Sequence, residues 1–143
     1  MFNFLGKYRD NAPLILRLLL GLTLVFSHGL PKVMGGSALW EREGAAMANL
    51  GITFAPVFWG FMAGATELTV GILFLIGFAV RPAAMMVVFI MFVAGLNNVV
   101  GAGGLSGLRG GRSHPVDFAA GALTLLILGA GAMSVDRKLG WDK

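Results

Sequence analysis

Four of the five prolines in this chain, Pro13, Pro56, Pro82 and Pro115, each stand at the head of an apolar run. A helix of about 20 apolar residues crosses the roughly 30 Å of hydrocarbon in a bilayer. Proline fits the first helical position because its missing N–H has no partner there in any residue. The pattern predicts four membrane spans, over residues 13–34, 56–80, 82–100 and 115–133. With 57% hydrophobic and only 13% charged residues among 143, a water-soluble domain is excluded. The expected fold is all-α: a single domain over residues 1–143, forming an integral membrane four-helix antiparallel bundle.

The chain has no cysteine, which rules out disulfides, thiolate metal sites and thiol redox chemistry. The net charge of +4 comes from basic residues that flank apolar segments. That arrangement suits anionic lipid headgroups, and nucleic acid is discounted. The opening MFNFLGKYRDNAP has charges after a short apolar start and no small-residue cleavage site, so no removed signal peptide is expected. Lys7, Arg9, Arg17, Arg81, Arg137, Lys138 and Lys143 fall on one side of the proposed bundle, against Lys32, Arg42, Arg109 and Arg112 on the other. This bias predicts a multi-pass protein of a bacterial or archaeal cytoplasmic membrane with both termini in the cytoplasm.

The connections differ in kind. Arg81 alone is expected to join the second and third spans. Residues 35–55 form a longer loop, in which Ser37 is expected to cap a short interfacial helix carrying Leu39, Trp40, Met47 and Leu50 on its apolar face. Residues 101–114 are glycine-rich; no strand precedes them and no Gly-Lys-Ser/Thr follows, so flexibility accounts for them better than phosphate binding. The fifth proline, Pro31, lies late in the first span. If that helix continues past it, the carbonyl of Ser27 loses its partner and a kink is expected just beyond His28.

Between Pro56 and Arg81 one side chain carries a charge, Glu67. A charge at the bilayer centre costs about 2.5–3.5 kcal/mol on insertion scales, so Glu67 is expected to face the bundle. Gly60, Gly64, Glu67 and Gly71 recur at spacings of four, three and four, which places them on one stripe where another backbone can approach. On the first helix Arg17 and His28 are eleven residues apart and return to nearly one azimuth, and Glu67 is predicted to reach either. Asn97 and Asn98 close the third span and Asp117 opens the fourth. With His28, Lys32 and His114 they make the outer half of the bundle polar, implying a pocket open to that side.

Glu67 has three readings: an ion pair with Arg17, a neutral carboxyl hydrogen-bonded across helices, or a proton acceptor that contacts a ligand. Arg17 reads as a pairing or snorkelling group as well as a ligand contact. His28 reads as a proton shuttle, a metal ligand or a donor to a carbonyl. Axial haem ligation by His28 and His114 is not expected, because His114 precedes Pro115 at a span start and does not lie deep on a helix facing His28. A metal centre of His28, His114 and Asp117 has no supporting ligand spacing, so no metal is predicted.

Arg17, HGLPK at 28–32, APVFWGFMAGATEL at 55–68, Gly71, Gly77, Arg81 and SVD at 134–136 together resemble the DoxX family, over about residues 10–138. Val70 departs from the resemblance, standing where the family pattern has the first glycine of Glu-x-x-Gly-Gly, and is expected to widen the helix contact beside Glu67. The resemblance implies a small four-helix membrane protein of a quinone-linked system, in sulfur or oxidative-stress metabolism, working with a soluble redox protein. On that reading Glu67 exchanges a proton, His28 donates a hydrogen bond, and Arg17, Lys32, Asn97, Asn98 and Asp117 line a site for a quinone or another small apolar ligand. Two alternatives stand beside it: a non-catalytic anchor or scaffold, and a small-solute transporter, which with four spans and no evident repeat requires a homo-oligomer.

Overall fold

The computed structural model describes residues 3–142; Lys143, counted above among the basic residues, lies outside the described residues, as does the side chain of Lys7. All regular structure among them is helical. After a 3-10 segment, Asn3–Asn11, the chain enters α1 (Ala12–Thr23) with Pro13 in its first turn. A π-helical turn, Leu24–Gly29, then leads into α2 (Leu30–Met34). Helix α3 (Gly36–Gly44) and a 3-10 segment, Ala45–Leu50, fill the first connection. The long helices α4 (Pro56–Ile76) and α5 (Val80–Gly101) follow. The apolar helix α6 (His114–Leu128) and the single turn α7 (Val135–Lys138) complete the chain.

Among the described residues three helical stretches are long and apolar enough to cross a membrane: Tyr8–Met34, Pro56–Ile76 and Val80–Gly101. The fourth, α6, has 15 residues. At 1.5 Å per residue it is about 22 Å long, short of the hydrocarbon thickness.

The predicted run to residue 133 stops at Leu128, and the reason lies in Arg17. Gly129 (φ +82°) and Gly131 (φ +69°) turn the backbone out of the helix. The carbonyls of Ala130, Ala132 and Met133 then point at the guanidinium instead of up a helical ladder.

The link between α4 and α5 also differs from expectation. It is Gly77–Ala79, and Arg81 and Pro82 both lie inside the first turn of α5. Gly77 (φ +70°) ends α4, with the N–H of Phe78 reaching back to the carbonyl of Leu73 at 3.0 Å. That is the left-handed glycine termination. Asp136 supplies the start signal for α5: its two carboxylate oxygens accept from the N–H groups of Ala79 (2.7 Å) and Val80 (2.8 Å). These donors lack intrahelical partners, and the negative charge suits the helix N-terminus.

The first helix runs through Pro31. Instead of simply losing a bond, the backbone widens: the N–H of Leu30 bonds the carbonyl of Val25, five residues back. A π turn holds an extra residue, so everything beyond it is rotated relative to a straight α-helix. The common azimuth expected of Arg17 and His28 is lost, and the two meet different elements.

The core gathers Leu20, Leu24, Val70, Phe74, Val87 and Phe118, among others, from all four apolar helices. The glycine stripe of α4 is buried as its spacing requires. A Cβ on Gly71 would come within 3.0 Å of the carbonyl of Gly21, and one on Gly60 would collide with the backbone of Trp40. Two crossings, by the first helix and by α3, thus use the same face of α4. Helix α3 is accordingly held against α4 by backbone contact. Ser37 lies within α3 and does not cap it; Gly35 precedes the helix. Val70 is fully buried in the core, and the helix contact beside Glu67 is close all the same: a Cβ on Gly29 would collide with the backbone of Leu68.

Candidate functional site

Gly64 lies under Lys32: a Cβ there would sit 2.8 Å from the Lys32 Cβ. The empty space above the glycine lets the lysine stem run along α4 to Glu67, one turn deeper. There Nζ donates to Glu67 Oε1 at 2.9 Å. Lys32 is held from its other side, because Trp40 Nε1 donates to its carbonyl at 2.7 Å. Glu43 completes the cluster, with its Oε2 at 3.7 Å from the ammonium and its Oε1 accepting from Arg42 at 3.2 Å. Glu67 is 2% exposed while the Lys32 side chain is 22% exposed. A buried carboxylate is tolerable only when paired and hydrogen-bonded, and Lys32 meets that need through one oxygen. The other oxygen, Oε2, is buried without a partner.

The partner of Glu67 is therefore neither Arg17 nor His28. Arg17 is 1% exposed and commits all its donors to main-chain carbonyls. Nε donates to Ala130 (3.1 Å), Nη1 to Phe74 (2.9 Å) and Leu75 (3.0 Å), and Nη2 to Ala132 (3.2 Å) and Met133 (2.8 Å). A guanidinium has five N–H groups, so none is left for a ligand. Phe74 and Leu75 belong to the last turn of α4, where a cation is favoured.

A cavity of about 750 Å³ lies between α4 and α5 beside this cluster. Glu67, Lys32 and Glu43 form its charged wall, and Asn97 and Asn98 its far edge. Its other walls are mostly apolar. Phe58, Met62, Met85, Met86 and Phe89 line it and are also exposed on the outer surface, so it opens sideways where lipid would lie. Trp59 lines it too, with its indole Nε1 buried and unpartnered. Such a shape suits a lipid-soluble molecule with a polar head.

Of the residues predicted to form the site, Glu67, Lys32, Asn97 and Asn98 come together on this cavity. Arg17, His28 and Asp117 are not among its lining residues. Asn97 Oδ1 also accepts from Asn49 Nδ2 at 3.1 Å, and Asn98 Nδ2 donates to the carbonyl of Arg112 at 3.2 Å. Asp117 is exposed and accepts from the Ser113 hydroxyl at 3.3 Å.

His28 packs against the start of α6. Its ring centroid is 4.9 Å from that of His114 and 5.6 Å from that of Phe118, and the His114 and Phe118 rings stack at 4.5 Å. The expectation that His114 does not face His28 is thus overturned: helix α6 begins at His114 and turns its first ring inward. Among the described residues no cluster of three or more His, Asp or Glu side chains gathers there as metal ligands.

Sequence reasoning missed Glu43 and the roles of Trp40 and Trp59. The two indoles read as packing groups, and only the crossing of α3 over α4 shows what their N–H groups meet or lack. The pairing of Lys32 with Glu67 had a sequence signal: Glu67 is the lone charge of its span, and Lys32 is a lone cation four residues after His28.

The profile of the DoxX family matches residues 12–100, which run from α1 to the end of α5 and carry Lys32, Glu43, Glu67 and both main walls of the cavity. No curated protein and no solved structure matches the chain. With more than half of its length under that profile, and with its apolar helices, the chain belongs to the DoxX family of membrane proteins.

Proposed function

We propose that this protein is the membrane component of a quinone-linked oxidoreductase system, and that the cavity between α4 and α5 receives the quinone ring. The observation that supports this reading is a buried, ion-paired carboxylate in the wall of an otherwise mostly apolar cavity that opens toward lipid. A quinone needs a slot for its ring and tail and a few polar groups for its oxygens. When bound, it supplies two-electron redox chemistry. The chain's own part is to hold the ring among Phe58, Met62, Met86 and Phe89 and to take or return a proton at Glu67, with Lys32 offsetting the charge.

In this reading α6, extended by the segment after it, crosses with the three longer helices as the fourth member of an antiparallel bundle. The local bilayer thins to meet it. The end bearing Arg17, Arg81, Arg137 and Lys138 faces the cytoplasm. A soluble redox protein exchanges electrons with the bound quinone. His28, one turn before Lys32, packs its ring against His114 at the start of α6.

Purification in native lipid tests the reading. Quinone is expected to co-purify, and Glu67→Gln is expected to lower quinone-dependent turnover by about 10²-fold while insertion is normal. Full activity in a well-inserted Glu67→Gln protein rejects it. A soluble partner at fixed stoichiometry without any bound quinone favours a scaffold instead.

A further inference from the structure

Four charged side chains form a line from the surface into the wall of the cavity. Arg42 Nη2 donates to Glu43 Oε1 at 3.2 Å, Glu43 Oε2 lies 3.7 Å from Lys32 Nζ, and Nζ donates to Glu67 Oε1 at 2.9 Å. Side-chain exposure falls step by step along it, from 74% at Arg42 through 32% at Glu43 and 22% at Lys32 to 2% at Glu67. Glu67 has almost no surface of its own through which to meet water, and among the described residues Lys32 is its one hydrogen-bonded or ion-paired partner. Lys32 stands between two carboxylates.

Packing fixes both sides of that junction. Helix α3 lies on α4 with backbone against backbone: a Cβ on Gly44 would collide with the carbonyl of Pro56, and one on Gly60 with that of Trp40. Glu43 precedes Gly44 in the chain, so its main chain is held against α4 as well. Trp40 Nε1 holds the Lys32 carbonyl, which leaves the flexible four-carbon stem as the part that moves. The 3.7 Å separation is slightly beyond a direct hydrogen bond of about 3.2 Å, and a small rotation of the stem or one bridging water closes it. His28 and His114 offer no second line: their rings pack on each other and on Phe118, with no hydrogen bond to either carboxylate among the described residues.

We propose that Glu43 is the water-side station of a proton path that serves Glu67, with Lys32 as the bridge. This rests on the reading of Glu67 as the group that exchanges a proton with a bound quinone, and adds the route by which that proton travels once the ring fills the cavity. In the outward direction Lys32 gives one N–H proton to the Glu43 carboxylate and takes the proton held by Glu67. The ammonium is restored, Glu67 is left ionised, and Glu43 passes its proton to water. Only N–H and O–H bonds change, so no oxidant or reductant enters, and the inward direction is the reverse. Arg42 stays on Glu43 Oε1 and leaves Oε2 for the proton.

The chain has no cysteine, so Glu43→Cys gives a single thiol that is rebuilt after folding. Iodoacetate turns it into a carboxylate of nearly the original reach, and iodoacetamide into a neutral amide of similar shape. Both adducts are made from one preparation in native lipid and assayed by turnover of a decyl-substituted quinone, with the unaltered protein given the same reagents to control for thiols on a co-purifying partner. The carboxylate adduct is expected to turn over at least about tenfold faster than the amide adduct at unchanged KM. Equal rates, a difference confined to KM, or a thiol that neither reagent reaches from water overturns the path and leaves the quinone reading standing. Absence of quinone turnover in the unaltered protein overturns both. Glu43→Gln is expected to show the same loss without alkylation, and full turnover in that variant overturns the path even where the cysteine variant does not fold.

Discussion

Two buried charges, Arg17 against the last turn of α4 and Glu67 midway along it, are treated in opposite ways. Arg17 has every donor satisfied, and each acceptor is a backbone carbonyl in the last turn of α4 or in the segment after α6. Glu67 has one oxygen paired with Lys32 and one with nothing. The first arrangement closes a structure: it ties the end of α4 and the segment after α6 to α1, and leaves nothing for a ligand. The second leaves a buried acceptor without a protein partner on a residue that lines a cavity. A buried charge in a membrane protein is therefore not informative by itself; what decides its role is whether the protein alone completes its hydrogen bonds.

The comparison breaks most readily at Arg17. Arg17→Met removes five hydrogen bonds and frees five carbonyls, and at about 0.6 kcal/mol for each polar contact within a membrane protein the expected loss is roughly 3 kcal/mol. Arg17→Lys recovers little of it, because an ammonium has three donors at one point and no planar fork. Thermal unfolding in detergent measures both, and an Arg17→Met protein as stable as the original would show the clamp to be dispensable. A next, smaller effect is expected at the Lys32–Glu67 pair. Lys32→Met strands the Glu67 carboxylate and should cost about 2–3 kcal/mol. The double change Lys32→Met with Glu67→Met should regain most of that, because no charge is left uncompensated. If the double variant is as unstable as the single one, the ion pair is not what Lys32 contributes.

Gly64→Val sharpens the geometric side of the comparison. Its side chain would enter the space occupied by the Lys32 stem, and overpacking of this kind costs about 1–3 kcal/mol. The expected outcome is destabilisation together with loss of quinone affinity, read by unfolding and by ligand binding on one preparation. The smallest effect is expected at His28. His28→Phe keeps a ring against His114 and Phe118 and should change stability by less than about 1.5 kcal/mol. A larger loss would mean that the imidazole holds a polar partner essential to the fold.

Much of the helical plan was legible in the residues. Proline at the head of each apolar run marks where helices begin, and the glycine spacing around Glu67 marks the face that other helices cross. The ends were less legible. The stop at Leu128 depends on carbonyls recruited by Arg17 from more than a hundred residues away in sequence. The start of α5 depends on Asp136, in a short segment whose local pattern says nothing about α5. At the site, Glu67 was recognisable as an inward-facing acid because lipid offers a carboxylate no alternative, but its partner was not. Choosing among Arg17, His28 and Lys32 requires the azimuth of each along the first helix, and the π turn at Leu24–Gly29 alters that azimuth.

By itself the sequence determined that this is a helical membrane protein with one acid facing inward, since hydrocarbon admits apolar helices and penalises exposed charge in any context. Only the tertiary structure decided that Lys32 pairs with Glu67, that Arg17 spends its donors on backbone, and that His28 meets His114. Those outcomes depend on helix rotation and on which side chains are small enough to be passed over. Both are properties of packed pairs of helices, and no single segment carries them.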